Sequence, residues 1–407
     1  MPIKKLLQID TCLGVGSTGR ITENIAKIIQ HQYWSAFIVH GARFVKRPSV
    51  MTDFQSVSIA DEYMHYAESI VLDNHGLASR RASYKVVDVI KRMQPDVIHL
   101  HCIHGYYLNY PILFDYLSSV NIPIVWTLHD CWPITGHCSH FDFIGCDRWK
   151  TGCGHCPGLS VYPRSLFVDR SARNWRLKKE CFTSVLDRLT IVPVSNWLES
   201  FVRQSFLKDA TIQTIHNGVD IETFSPKEVT SQKDKYSLGD KKVVLGVALP
   251  WTARKGFEDM IRLADILPSD EYQVMMVGLS DKQLKHLPSN IIGVKRTNSA
   301  AELAELYSLA TVFVNPTYED NFPTVNIEAL ACGTPVITYR TGGSPEAIDD
   351  ETGIVVEKGD VAGMASAVAS IDKHAFSAPC RARALRLFDK DKCFEKYIRL
   401  YERLLVE

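Results

Sequence analysis

The sequence has no excess of either charge, its 46 lysines and arginines being matched by 46 aspartates and glutamates. No wholesale attraction to nucleic acid follows, and only a local patch could supply one. The chain also lacks any window approaching the roughly 18 uninterrupted apolar residues of a membrane span. That predicts a protein that is soluble or at most peripheral on a membrane. No internal repeat or low-complexity tract is present. The amino terminus, MPIKKLLQIDTCLGVG, breaks its short apolar run at Asp10, too soon for a signal-peptide core, and reads as a first strand. A cytoplasmic setting is therefore expected, where thiols stay reduced and clustered cysteines are more often metal ligands than disulfides.

What is present is a long alternation of strand and helix patterns. At 407 residues two domains are expected. Short apolar runs, each followed by a helical pattern, occur at 4–10, 35–41, 96–101, 122–130 and 189–195, and again at 242–248, 272–278, 311–316, 334–340 and 353–357. Such alternation predicts an α/β fold of two doubly wound parallel-sheet domains. The polar stretch 218–240 reads as a linker between a domain over 1–217 and another over 241–385, with a final helix in 386–407 whose apolar face carries Phe394, Tyr397, Ile398, Tyr401, Leu404 and Leu405. Ligands of such sheets bind beyond the carboxyl ends of the strands, so the post-strand loops should hold the chemistry, and two such domains would face a cleft.

The strongest chemical signal follows the strand TVFVNP. In TYEDNFPTVNIEALACG, Pro323 suits the first turn of a helix running from Thr324 to Cys332, which Gly333 would end. Its unpaired N–H groups near Thr324 and Val325 suit a phosphate. Glu328 lies about one turn inside, and Asp320 eight residues earlier on the loop. In PWTARKG, Arg254 and Lys255 occupy the corresponding loop after VVLGVA, where two cations could neutralise a diphosphate leaving group. Taken alone, the acids could be mere helix-start charges and the cations a solvated pair.

Together with IHNGVDIETFSP at 215–226 and EALACGTPVITYRTGGSPE at 328–346, these segments resemble the retaining glycosyltransferases of family 4. The nearest likeness is to the bacterial branch that builds surface polysaccharides. The resemblance covers nearly the whole chain and implies a GT-B fold: two Rossmann-like domains facing a cleft, with a C-terminal helix able to cross back. It implies transfer of a hexose from a UDP- or GDP-linked donor to a lipid-linked oligosaccharide in exopolysaccharide, capsule or O-antigen synthesis, with no catalytic metal. By the same resemblance Glu328 binds the nucleotide ribose and Asp320 contacts the donor sugar, with Glu319 beside it as the other acid able to do so. Lys255 and Arg254 hold the diphosphate. Gly16, Asn321, Phe322, Thr324 and Val325 complete the donor site, and His129 touches the sugar. Two departures stand out: the first acid is Asp rather than Glu, and Pro250 replaces the usual arginine, leaving Arg254 as its substitute.

The amino-terminal half is less explicit. GVGSTGR contains Gly14, Gly16 and Gly19 but not the dinucleotide fingerprint. HLHCIHG places His99 and His101 on one side of a strand, as some metal-dependent hydrolases require, although no carboxylate series completes such a site. A non-hydrolysing nucleotide-sugar epimerase of the same fold, or a sugar-nucleotide-binding protein without catalysis, would share the features of the carboxyl-terminal half. The run at 163–179 holds six basic residues against one acid, among them Arg173, Arg176 and Lys178. It reads as a solvated face able to rest on an anionic membrane. Finally, HDCWPITGHCSHFDFIGCDRWKTGCGHCP at 129–157 contains a cysteine-rich insertion, 131–157, in which Cys138, Cys146, Cys153 and Cys156 suit a structural zinc, with Cys131, His137, His140 and His155 as substitutes.

Overall fold

A computed structural model of the chain describes residues 3–30, 34–45, 49 and 51–406. It contains two compact units, the first comprising residues up to Ile215 together with those from Phe394 onward, and the second His216–Cys393.

The sheet of the first unit runs, in spatial order, Thr52–Gln55, Trp34–His40, Lys4–Ile9, Val97–Leu100, Ile124–Leu128, Leu189–Pro193 and Thr211–Ile212. Every neighbouring pair is parallel. Numbered along the chain, the order is 3-2-1-4-5-6-7. The second unit repeats the scheme with Ile291–Val294, Tyr272–Val277, Lys242–Val247, Val312–Asn315, Val336–Tyr339 and Gly353–Val356, in the order 3-2-1-4-5-6. Both are Rossmann-like, doubly wound sheets, whose order reverses between the first and fourth strands. In the second unit the fully buried Val244, Leu245, Val312, Val314 and Ile337 form the sheet's centre, each worth about 2 kcal/mol of burial.

The ten apolar runs correspond to the nine inner strands of the two sheets and to the edge strand Gly353–Val356. Three strands of these two sheets escape sequence reading, Thr52–Gln55, Thr211–Ile212 and Ile291–Val294. They are short and lie at the edges, where one row of neighbours suffices and little apolar patterning is needed. The polar stretch 218–240 contains a short helix, Thr230–Lys235.

The final helix, Lys390–Leu404, gives its residues from Phe394 onward to the first unit. Phe394, Tyr397, Ile398 and Tyr401 are buried. Thr127 Oγ1 donates to the Tyr397 hydroxyl at 3.1 Å, and the Tyr401 hydroxyl lies 2.6 Å from His99 Nδ1. A different pattern appears in the helix Ile59–Leu72, which buries Glu62, His65 and Ser69 while Ile59, Tyr63, Met64, Tyr66 and Val71 face outward. Among the described residues no helix is long and apolar enough to cross a membrane.

Candidate active site

In the second unit the site grows from the switch point of the sheet. The strand Lys242–Val247 leads into a short 3₁₀ turn, Ala253–Lys255, and the strand Val312–Asn315 leads into the loop carrying Glu319 and Asp320. The two loops are tied together. Arg254 Nη1 donates to the Glu319 carbonyl at 2.6 Å, and the Arg254 carbonyl accepts from the Tyr318 N–H at 2.8 Å. Gly256 closes the turn with φ +72°, and a Cβ there would lie 2.1 Å from the Pro316 carbonyl oxygen, so the approach of the two loops requires glycine.

Lys255 Nζ pairs with the Asp320 carboxylate, and both side chains are about one-fifth exposed. Glu319, by contrast, is fully buried. Of the two adjacent acids, Asp320 is thus the one open to a ligand. Its backbone is held from a third loop: the Gly343 N–H donates to the Asp320 carbonyl at 3.0 Å, and Gly342, at φ +56°, leaves no room for a Cβ, which would sit 1.9 Å from that oxygen.

Asn321 and Phe322 are buried and lead into the helix Thr324–Ala331. Pro323 takes the cap position rather than the first turn, and Gly333 follows the helix at φ +74°. The first N–H groups of a helix have no partner within it, and Thr324 and Val325 are partly exposed. Here the helix dipole and Lys255 both favour an anion. Glu328 accepts from the Tyr307 hydroxyl at 3.0 Å. No sequence signal singles out Tyr307, which sits in an ordinary helix, Ala300–Leu309. Behind the helix start, Asn326 is buried and its side chain bridges Asn315 and the Ser344 carbonyl. His216, of the IHNG segment, lies 2.8 Å from Glu346.

Gly16 and His129 belong to the first unit. Gly16 opens the helix Gly16–Gln30 at φ +69° and is exposed, with open space where a Cβ would point. His129 follows the strand Ile124–Leu128, partly exposed, with Nε2 3.2 Å from His101 Nδ1. Desolvation lowers its pKa to about 4, against the opposing pull of Asp130. Asp130 would be raised by burial, but His104, 3.0 Å away, holds it down to about 2. The hydrolase reading of His99 and His101 gains no support. His99 lies between Thr127 (2.8 Å) and the Tyr401 hydroxyl, and His101 between His129 and Gln8 (3.0 Å). Both are buried members of a hydrogen-bonded core.

Two further expectations change. Lys178 is not on the solvated face of the basic run. It is buried, with Nζ 2.7 Å from the Trp132 carbonyl and 3.3 Å from the centre of the Trp132 ring. Its place in the helix Ser171–Thr183 turns it inward, while Arg173, Arg176 and Lys179 face out. Cys138, Cys146, Cys153 and Cys156 do line one small cavity. As their side chains stand, however, no three His, Cys, Asp or Glu residues among the described residues are placed to hold a metal ion.

Comparison with known proteins decides the family. The Glycosyltransferase Family 4 profile matches residues 47–223, and the profile for Glycosyl transferases group 1 matches residues 241–373. The chain belongs to the family 4 glycosyltransferases. This glycosyltransferase is 25% identical over 331 residues to WcaC of Escherichia coli K12, provisionally assigned as a colanic acid biosynthesis glycosyl transferase. The match covers 76% of this chain and 77% of that one. It is 28% identical to the D-inositol 3-phosphate glycosyltransferase of Mycobacterium sp. (strain JLS), over about half of each protein, 55% and 54%. Among solved structures, sucrose-phosphate synthase of Thermosynechococcus elongatus superposes with a TM-score of 0.69 at 18% identity, covering 99% of both chains. Anabaena Alr3699/HepE, solved in complex with UDP, superposes with a TM-score of 0.67 at 14% identity, covering 98% of this chain and all of that one. The glycosyltransferase thus has the GT-B fold.

Proposed function

We propose that this glycosyltransferase moves a hexose, with retention of anomeric configuration, from a uridine or guanosine diphosphate sugar to a hydroxyl of a lipid-linked oligosaccharide in surface-polysaccharide synthesis. The observation that carries the proposal is the Lys255–Asp320 pair beside the start of the helix Thr324–Ala331. One cation and a row of backbone N–H groups lie where an anion is favoured, and one carboxylate stands beside them. The likeness to WcaC supports the polysaccharide setting, and the UDP held by the HepE neighbour supports a nucleotide donor.

On this reading Lys255 exchanges Asp320 for the donor diphosphate, which frees Asp320 to accept a hydrogen bond from a sugar hydroxyl. Arg254, already bonded to the Glu319 carbonyl, fixes the loop and adds positive charge. Asn321 and Phe322 shape the approach, Glu328 takes the ribose hydroxyls, and Gly16 and His129 keep the roles that the resemblance gives them. The bond from the anomeric carbon to the phosphate oxygen breaks through an oxocarbenium-like state. The acceptor oxygen then bonds to that carbon from the face the phosphate leaves, and the acceptor's proton passes to the departing phosphate. No protein nucleophile is required.

The same proposal includes peripheral contact with the inner face of the cytoplasmic membrane. It is supported by the exposed Met64 and Phe167, 70% and 75% accessible, and by the outward Arg164, Arg173 and Arg176. The two segments adjoin, since the Leu166 N–H donates to the Ile70 carbonyl at 2.9 Å.

A thermal-shift panel of nucleotide sugars, followed by turnover with and without acceptor, tests the function. A stabilising donor that is consumed only with acceptor, giving a product of unchanged anomeric configuration by NMR, is the expected result. Consumption without acceptor, or an inverted product, would overturn it.

A further inference from the structure

The insertion after His129 carries chemistry that glycosyl transfer does not use. Cys138, Cys146, Cys153 and Cys156 line a single cavity of about 10 Å³ together with His137, room for roughly one water-sized particle. A backbone donor already points at one of the sulfurs: the Gly136 N–H reaches Cys153 Sγ at 3.2 Å. Donors of this kind stabilise thiolate charge around bound metals.

Two buried polar groups lie beside this insertion. His137 is 3% exposed. Its Nδ1 lies 2.6 Å from Asp73 Oδ1, while its Nε2 has no hydrogen-bond partner. A carboxylate on one imidazole nitrogen is the arrangement that orients a histidine toward a metal centre. Lys178 is buried behind the same insertion, and among the described residues no carboxylate forms an ion pair with it. Burial pushes its pKa well down, so holding it as an ammonium needs compensating negative charge nearby.

We infer that this insertion binds one zinc ion through the sulfurs of Cys138, Cys146, Cys153 and Cys156, with His137 against the site and Lys178 as its counter-charge. Four thiols release their protons to solvent as the ion enters. The resulting tetrathiolate complex is negatively charged, which accounts for Lys178, and a tetrahedral set of four cysteines is the usual structural zinc site. Binding requires the cysteine side chains to turn toward the cavity that they already line. The ion would tie residues 138–156 to the helix Ser171–Thr183, which carries Lys178 and whose Trp175 Nε1 donates to the Trp149 carbonyl at 2.9 Å.

The test uses the full chain purified without chelator. Elemental analysis should find about one zinc per chain, and X-ray absorption should find sulfur scatterers at about 2.3 Å. Cys153→Ser and Cys156→Ser should each reduce zinc to trace amounts, while Cys181→Ser, outside the insertion, should retain it. Because the first two variants could fail to fold, titration of the wild-type protein with an organomercurial provides a second readout, with zinc released in step with thiol modification. Three results would each overturn the inference: wild-type protein essentially free of zinc, a Cys153–Cys156 disulfide by mass spectrometry, or zinc that persists in both serine variants.

Discussion

Lys255 and Asp320 hold each other in the protein alone, and the proposed chemistry needs them apart. Asp320→Asn removes the competitor for Lys255, so nucleoside diphosphate affinity should hold or rise while transfer falls by about 10²-fold or more. Calorimetry and initial rates read the two effects separately, and a variant unchanged in both would remove Asp320 from the site. His129 offers a second test. Its lowered pKa, about 4 instead of 6.5, keeps the imidazole neutral at physiological pH, able to hydrogen-bond a sugar hydroxyl. An NMR titration should leave its ring resonances flat from pH 8 to roughly 5, whereas an inflection near 6.5 would contradict the burial argument. At this scale the sequence nominates Lys255, Asp320 and Glu328, because loop position and spacing mark them. It does not disclose that Arg254 would bond the Glu319 carbonyl, or that Tyr307 would bond Glu328, because both depend on how loops and helices meet in space. Lys178 misleads for the opposite reason: a lysine in a basic run reads as solvated until the helix is seen to turn it inward.

At the scale of elements, three loops converge on Asp320, and glycines set how closely they approach. Gly342→Ala must accept both a positive φ and a Cβ 1.9 Å from the Asp320 carbonyl oxygen. It should cost about 1–3 kcal/mol and lower the urea midpoint. Gly239→Ala is the control, since its φ of +55° is similar but nothing lies near the added Cβ; it should lose only about 1 kcal/mol. Equal losses would mean that the loop yields and Asp320 is not held as described. The inner strands are legible because a parallel sheet buried on both faces demands continuous apolar runs. Edge strands such as Thr52–Gln55 are not, since TDFQ carries no such run. The helix Ile59–Leu72 is also opaque: its buried Glu62 and His65 invert the usual pattern, and only tertiary partners such as Arg43, 2.8 Å from Glu62, make that burial possible.

For the whole molecule, zero net charge and the absence, among the described residues, of a helix able to span a bilayer leave any membrane contact to a local surface. Sedimentation with anionic vesicles tests that surface. Arg173→Glu with Arg176→Glu should weaken association, each arginine contributing about 1 kcal/mol at low salt, and Phe167→Ser should weaken it at any salt. A wild-type protein that ignores vesicles would remove the membrane from the account. The division into two Rossmann-like units is visible in the two series of strands. The return of Phe394, Tyr397 and Tyr401 to the first unit is not, since an apolar helical face does not say where it docks.

The central claim is that the second unit binds a nucleotide diphosphate through Lys255. Its most direct test is equilibrium binding of UDP and GDP to the wild-type protein and to Lys255→Ala. One of the two should bind the wild-type protein, and the variant should bind it roughly 10- to 100-fold more weakly, the loss of one charge-assisted contact. Unchanged affinity in the variant, or no binding of either diphosphate to the wild-type protein, would contradict it.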